Sequence, residues 1–227
     1  MMFMNDVSFI IPAYNEEESI GRLLETIITI YPDSKILVID NNSNDKTAEI
    51  ASNLCVEVIF EKKQGKAHAM RAGFSHSDSK YVVMLDADNT YDPNDAERLV
   101  EPLRNGEVDL VLGSRLNSNK EKGAISKRNT IGNHILSLIA SFFYHPVSDV
   151  CTGYWAFNDR VLNYILDVGL DCSGFEMEAE LFAKISKKKQ FKISEIPISY
   201  KTRADKPKLK SFSDGYKIFI TLLKHKM

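Results

Sequence analysis

Over its first half the chain alternates between short unbroken apolar runs and longer stretches in which apolar residues recur every three or four positions. Val7 to Ala13 (VSFIIPA) is such a run, and its continuity predicts a strand buried on both faces. Asn15-Glu16-Glu17-Glu18-Ser19 then places carboxylates where a helix N-terminus favours them, and Ile20, Leu23, Leu24, Ile27 and Ile28 follow at helical spacing. Lys35 to Asp40 (KILVID) predicts a second strand, Asn41 to Asp45 a polar turn, Thr47 to Leu54 a helix and Val56 to Phe60 a third strand. Gly65 to Phe74, which contains Lys66 and Arg71, reads as helix, and Lys80 to Leu85 as a fourth strand stopped by Asp86-Ala87-Asp88. Asp92-Pro93 opens a helix carrying Ala96, Leu99, Val100 and Leu103, and Val108 to Leu112 is the fifth strand. Strands alternating with helices predict an α/β fold, a mostly parallel sheet covered on both faces. No repeat and no long linker divides the chain, so a single domain over 1–227 is expected.

The last third adds two amphipathic helices. In the first, Ile131, Ile135, Ile139 and Phe143 form a stripe with Leu138 and Phe142, opposite His134, Ser137 and Ser141. In the second, Phe212, Tyr216, Phe219, Ile220 and Leu223 share a face, with Lys217, Thr221 and Lys224 elsewhere. Lys120, Lys122, Lys127 and Arg128 lead into the first, and Lys206, Lys208 and Lys210 into the second. Apolar helices with basic flanks suit a contact in the plane of a membrane surface. Packing on the domain's own core explains either helix equally well.

Charge sharpens this picture. The net charge of −2 hides 12 basic against 3 acidic residues from Lys187 onward, +9, and −11 over the first 186. A basic tail on an acidic body points to an anionic partner. Nucleic acid is disfavoured, because the lysines do not alternate with aromatics on an evident platform. No apolar run reaches the roughly 18 residues of a membrane span, and the N-terminus lacks a signal-peptide pattern. Three widely spaced cysteines, Cys55, Cys151 and Cys172, fit neither a zinc site nor a disulfide framework and suggest a reducing, cytoplasmic setting.

Candidate chemistry gathers at strand ends, where open α/β sheets bind ligands. Asp86 and Asp88 follow a fully apolar strand; confined together they repel unless a cation joins them, and hard oxygen donors suit magnesium or manganese. The alternative is a solvated turn or helix cap. Pro12-Ala13-Tyr14-Asn15-Glu16 ends the first strand and Asp40-Asn41-Asn42-Ser43-Asn44-Asp45 the second. An aromatic, a strand-end carboxylate and a metal pair would suit a base, a ribose and a diphosphate.

FIIPAYNEEESI, VIDNNSNDKT, GKAHAMRAG, YVVMLDADNTYDP and LVLGSR, in this order and spacing, resemble glycosyltransferase family 2 with its GT-A, Rossmann-like fold. Arg128-Asn129, Gly132-Asn133, DVCTGYWAF, GFEMEAEL and IPISYKTRADKPKLKSFSDG resemble the dolichyl-phosphate mannose synthases and their polyprenyl-phosphate relatives. The resemblance spans about Val7 to Leu223. It implies a nucleotide-sugar-binding half over about 7–115 and an acceptor- and membrane-facing half over about 116–227. By similarity Pro12, Tyr14, Glu16 and Asp40 would hold the nucleoside. Asp86 and Asp88, with Ala87 between them, would hold a Mg or Mn ion against the diphosphate, and Lys66 would belong to the donor site. Arg203 and Lys208 match the basic loop over the donor phosphates, and Arg115 and Arg128 the grip on the acceptor's phosphate. Thr90 stands where many relatives carry Gln, Pro207 where Ser is usual, and Trp155 where Arg is usual.

The reaction so implied is inverting transfer of a sugar from GDP-mannose, UDP-glucose or UDP-N-acetylglucosamine to dolichyl or polyprenyl phosphate. It would serve protein glycosylation or cell-surface glycan synthesis. The protein would be peripheral at the cytoplasmic face of a membrane, where a membrane-anchored protein could partner it. Helical hairpins of the kind that anchor some relatives are not expected from the residues up to Met227. An alcohol or glycan acceptor is the rival; it would want a base, for which Glu176 and Glu178 are candidates. The Gln-x-x-Arg-Trp signature of processive synthases does not occur, and PAYNEEES lacks the glycines of a nucleotidyltransferase phosphate loop. A non-enzymatic membrane binder would leave Asp86 and Asp88 unexplained.

Overall fold

Apolar runs flanked by polar turns become strands β1 (Val7–Ala13), β2 (Lys35–Asp40), β3 (Glu57–Phe60), β4 (Tyr81–Met84) and β5 (Leu110–Ser114) in the computed structural model, which describes residues 4–117, 120–203, 208 and 211–226. Between them lie helices α1 (Ile20–Ile30), α2 (Thr47–Asn53), α3 (Lys66–His76) and α4 (Ala96–Arg104), the last entered through a short 3-10 turn at Pro93–Asp95. The later part holds α5 (Lys127–Phe143), β6 (Trp155–Asn158), α6 (Asp159–Val168), α7 (Met177–Lys187), β7 (Ile193–Pro197) and α8 (Ser211–Lys224). The two amphipathic helices expected there are α5 and α8, and α6, α7 and two strands come between them.

The seven strands form one sheet in the order β3-β2-β1-β4-β6-β5-β7. Strands β1 to β4 are mutually parallel, whereas β6 runs antiparallel between β4 and β5, and β7 is parallel to β5. Alternate residues of β1 feed two cores: Ile10 faces α3, α6 and α7, while Phe9 and Ile11 face α1 and α4. Gly73 lets α3 lie close to the sheet, since a Cβ there would come within 2.4 Å of Ile10 Cγ2. Strand order reverses its direction of growth between β1 and β4, and that reversal opens a crevice at the strands' carboxyl ends.

Two local expectations change. The carboxylates of Glu16 to Glu18 precede α1 rather than occupying its first turn, which holds no acidic residue. On α5 the inward face is mixed rather than the apolar stripe: Ser137 is buried and its Oγ accepts the Val150 amide at 3.0 Å, while His134 is exposed. Leu136 and Ala140 are buried beside it, whereas Ile131, Ile135, Leu138 and Phe142 are exposed, Phe142 to 82%. Helix α8 behaves similarly, burying Ile218 and Leu222 against α5 and α7 and exposing Phe212, Tyr216 and Ile220. The Tyr144 hydroxyl donates to the Leu222 carbonyl, fastening the end of α5 to α8. Among the described residues no helix is long and apolar enough to cross a membrane.

Candidate active site

The loops after β1, β2 and β4 each turn through an asparagine in the left-handed region: Asn15 (φ 50°), Asn42 (φ 63°) and Asn89 (φ 58°). Asparagine enters this region more readily than most residues because its short amide can bond locally. The loops are tied to one another. The Asn15 amide donates to Ser43 Oγ at 3.0 Å, the Glu16 amide to Thr47 Oγ1 at 2.8 Å, and Ser19 Oγ to the Ala87 carbonyl at 3.0 Å. The β1 loop thus fixes its neighbours on both sides before any ligand is considered.

A single cleft of about 900 Å³ opens over these loops. Of the residues expected in the site, Pro12, Tyr14, Glu16, Lys66, Asp86, Ala87, Asp88, Arg115, Arg128, Arg203 and Lys208 all line it. Asp40 does not; it is buried behind the wall, its Oδ1 accepting the Ser43 amide, and Asn41 presents the surface there. Asn41 also holds the following turn, its Oδ1 accepting from the Gly65 amide at 2.7 Å and its amide donating to the Lys63 carbonyl at 2.7 Å. Pro207, Lys206 and Lys210 lie outside the described residues.

Two cations from the C-terminal third reach across to the acidic floor. Arg203 donates to Asp88 Oδ2 at 2.6 Å and to Glu16 Oε1 at 2.7 Å. Lys208 meets Glu16 Oε1 at 2.5 Å, the Asn15 carbonyl at 2.8 Å and the Tyr14 carbonyl. Glu16, expected as a helix-start carboxylate as well as a nucleoside ligand, here binds both basic groups. Asp88's other oxygen accepts Thr90 Oγ1 at 2.6 Å, and Thr90 is itself buried. Burial and the neighbouring Asp86 charge push the Asp88 carboxyl above its ordinary range, with Arg203 opposing them.

Beneath Asp86 lies an arrangement the sequence did not announce. Lys66, at the start of α3, pairs with Asp86 Oδ1 and with Glu178 Oε1, the latter at 2.6 Å. Burial alone would lower the Lys66 ammonium, but the Asp86 and Glu178 charges outweigh it and hold it above its usual value. Burial raises the Glu178 carboxyl, with Lys66 opposing. Gly153 leaves the gap they need: a Cβ there would come within 2.7 Å of Asp86 Oδ2 and 3.1 Å of Lys66 Nζ. Gly65 supports the same corner with φ 133°, where a Cβ would fall 2.0 Å from the Ser173 carbonyl oxygen. Backbone geometry calls for glycine at 65, and at 153 a side chain would displace Asp86 or Lys66; their place in GKAHAMRAG and GYWAF was the available signal.

The two arginines expected at the acceptor phosphate differ sharply. Arg115 is buried; its Nε and Nη2 each donate to Asp149 at 2.8 Å, and its guanidinium lies over the Tyr200 ring at 5.4 Å. Asp149 is fully buried. Arg128, at the start of α5, is exposed and lies 4.3 Å over the Phe212 ring of α8. Trp155, unusual for the resemblance, is a core residue of β6 whose indole donates to the Thr152 carbonyl at 2.8 Å. Glu178 is buried against Lys66, and Glu176 folds back to accept the Ser173 and Gly174 amides.

The donor set fits a divalent cation. Asp86 and Asp88 are two hard carboxylates at one strand end, both facing the cleft and close enough for one to raise the other. Two such carboxylates repel each other unless cations share them, and Mg²⁺ binds in this way through one or two carboxylates and substrate phosphates.

Comparison with known proteins gives the family and the fold. The sequence profile described as glycosyl transferase family 2 matches residues 8–166. Glycosyltransferase AglJ of Haloferax volcanii is 33% identical over 95% of this chain and 70% of its own length. A dolichyl-phosphate hexose transferase of the same organism is 30% identical over 97% of this chain and 93% of its own. Glucosyl-3-phosphoglycerate synthase from Mycobacterium tuberculosis, solved with Mn²⁺, UDP and glucosyl-3-phosphoglycerate, superposes with a TM-score of 0.76 at 21% identity, covering 96% of this chain and 79% of that one. That likeness establishes a shared GT-A fold. The chain belongs to glycosyltransferase family 2.

Proposed function

We propose that this glycosyltransferase moves a sugar from a nucleotide-sugar donor to a dolichyl or polyprenyl phosphate, with inversion, while docked peripherally on a membrane. One observation carries the reading. The cleft that holds Asp86, Asp88 and Arg115 continues without a break into an apolar trough between α5 and α8, lined by Leu136, Phe175 and Ile218. Gly132 and Gly215 also line it, and a Cβ at either would meet nothing within 4 Å. An acceptor with an anionic head and an apolar tail matches a site with those two ends. The 30% identical dolichyl-phosphate hexose transferase supports the same class.

Pro12, Tyr14 and Glu16 would form the nucleoside wall, with Asp40 holding the β2 loop behind it. Asp86 and Asp88 would hold Mg²⁺ or Mn²⁺, whose contribution is Lewis-acid stabilisation of the diphosphate leaving group. Arg203 and Lys208 already neutralise Glu16 and Asp88. With a donor present they would exchange carboxylate for phosphate, keeping charge balanced as the sugar–phosphate bond breaks. Arg128 and Arg115 would align the acceptor.

A lipid phosphate carries roughly −1.5 to −2 charges at pH 7, so its oxygen needs orientation rather than a base. This accords with Glu176 and Glu178, the base candidates, being engaged in local hydrogen bonds and in the Lys66 pair. The outward apolar residues of α5 and α8, beside Lys127, Arg128, Lys217 and Lys224, suit an anionic leaflet such as the cytoplasmic one.

The test is incubation with Mg²⁺ or Mn²⁺, a short polyprenyl phosphate and a panel of labelled UDP- and GDP-sugars. Label should enter the organic phase from one donor, and Asp88→Ala should lower the rate at least about 100-fold. Nucleotide release without a lipid product would contradict the acceptor assignment.

A further inference from the structure

Three charges lie in sequence from the interior toward the cleft. Glu178 sits at the N-terminal turn of α7 and is 4% exposed. Its Oε1 lies 2.6 Å from Lys66 Nζ, and Lys66 pairs on its other side with Asp86 Oδ1. Asp86 Oδ2 points instead past Gly153, whose missing side chain leaves that oxygen room. Negative, positive and negative groups thus follow one another, and a cation held by Asp86 would complete the alternation.

Lys66 creates a difficulty. A buried ammonium beside a metal-holding carboxylate repels the metal and competes for the carboxylate. With nothing behind it, Lys66 could close over both oxygens of Asp86. Glu178 removes both problems: it draws the ammonium inward to one side of Asp86 and cancels its charge. Lys66 remains useful as the group that fixes the Asp86 rotamer, because it is held from two directions and its side chain is only 11% exposed.

We infer that Glu178 is a positioning residue for the donor site, acting through Lys66 to keep Asp86 oriented and electrostatically available to a divalent cation. This rests on the reading of Asp86 and Asp88 as the metal-holding pair. It gives Glu178 a role other than proton transfer, and it assigns the GFEMEAEL segment to the donor side of the cleft although it is contributed by the C-terminal half of the chain.

The test uses Mn²⁺ alone, titrated into the purified protein and followed by the loss of the free-ion electron paramagnetic resonance signal, with near-UV circular dichroism as the check on folding. Glu178→Gln should weaken Mn²⁺ binding by roughly 10- to 100-fold, the range for groups that orient a metal's direct ligands. Glu178→Asp, which restores the charge, should recover most of the loss. Because Glu178 acts through Lys66, Lys66→Met and Lys66→Met/Glu178→Gln should bind Mn²⁺ equally, within about twofold, the non-additivity expected of coupled neighbours. That comparison decides the question even if Glu178→Gln alone does not fold. A folded Glu178→Gln protein with wild-type Mn²⁺ affinity overturns the inference, as does a double variant clearly weaker than Lys66→Met. If Asp88→Asn leaves Mn²⁺ binding unchanged, the metal assignment itself fails and the role of Glu178 fails with it.

Discussion

Asp149 shows how a single residue decides whether the site exists at all. It is fully buried, receives the Nε, Nη2 and backbone amide of Arg115, and donates its own amide to Glu195. Removing a buried charge partner strands the other charge, which costs about 3–5 kcal/mol. Asp149→Ala should therefore lower the unfolding free energy by that amount in urea titrations; a loss below about 1 kcal/mol would mean that the pair is solvated in solution. The DVCTGYWAF motif was legible in the sequence, yet Asp149's partner was not, because nothing local in a sequence links it to Arg115. The same holds for Lys66 and Glu178. Residues that share a strand-end loop, such as Asp86 and Asp88, could be grouped by spacing alone. Residues that meet only through the sheet's crossover connections could not.

At the scale of elements, the first half was readable because buried parallel strands are continuous apolar runs, and β1, β2 and β4 are of that kind. Strand β7 was not, since Ile193–Pro197 is a half-buried edge segment with no unbroken apolar run. Helices α6 and α7 are short and polar-rich in sequence, although each buries an apolar face, Val161, Leu162 and Ile165 in α6 and Leu181, Phe182 and Ile185 in α7. Helix α5 was recognised, but periodicity gives a stripe without saying which way it faces. Its stripe faces outward, leaving Leu138 69% exposed and Phe212 of α8 77% exposed. Large apolar side chains exposed together among the described residues suit a partner surface, and the neighbouring basic side chains favour an anionic one. Vesicles containing an anionic phospholipid should sediment the protein, less so as salt rises. Leu138→Glu and Phe142→Glu should each weaken that binding roughly tenfold or more, given about 1.5–3 kcal/mol for a buried large apolar side chain. Unchanged sedimentation of both variants would detach these helices from any membrane role.

For the whole molecule, the sheet's switch between β1 and β4 places the acidic loops of the cleft, and the C-terminal third brings back the opposite charge. Glu16, Asp86 and Asp88 belong to the acidic first part; Arg203 and Lys208 belong to the basic tail that reaches over them. The excess of +9 beyond Lys187 is thus partly spent within the fold, in closing an anionic cleft, and only the remainder is left for an external surface. The same cleft runs on between α5 and α8, so the place where charge is balanced and the place where an apolar chain can lie are one continuous space.

The central claim is that this space takes a phosphate nucleophile on a lipid and needs no base. The most direct measurement offers the enzyme, its donor and its metal equal concentrations of a prenyl phosphate and the matching prenol, and identifies the products by mass spectrometry. The account predicts glycosylated prenyl phosphate with an inverted anomeric centre and no glycosylated prenol. Transfer to the alcohol would contradict it, and a rate abolished by Glu176→Gln, or by Glu178→Gln at saturating metal, would make that carboxylate a base.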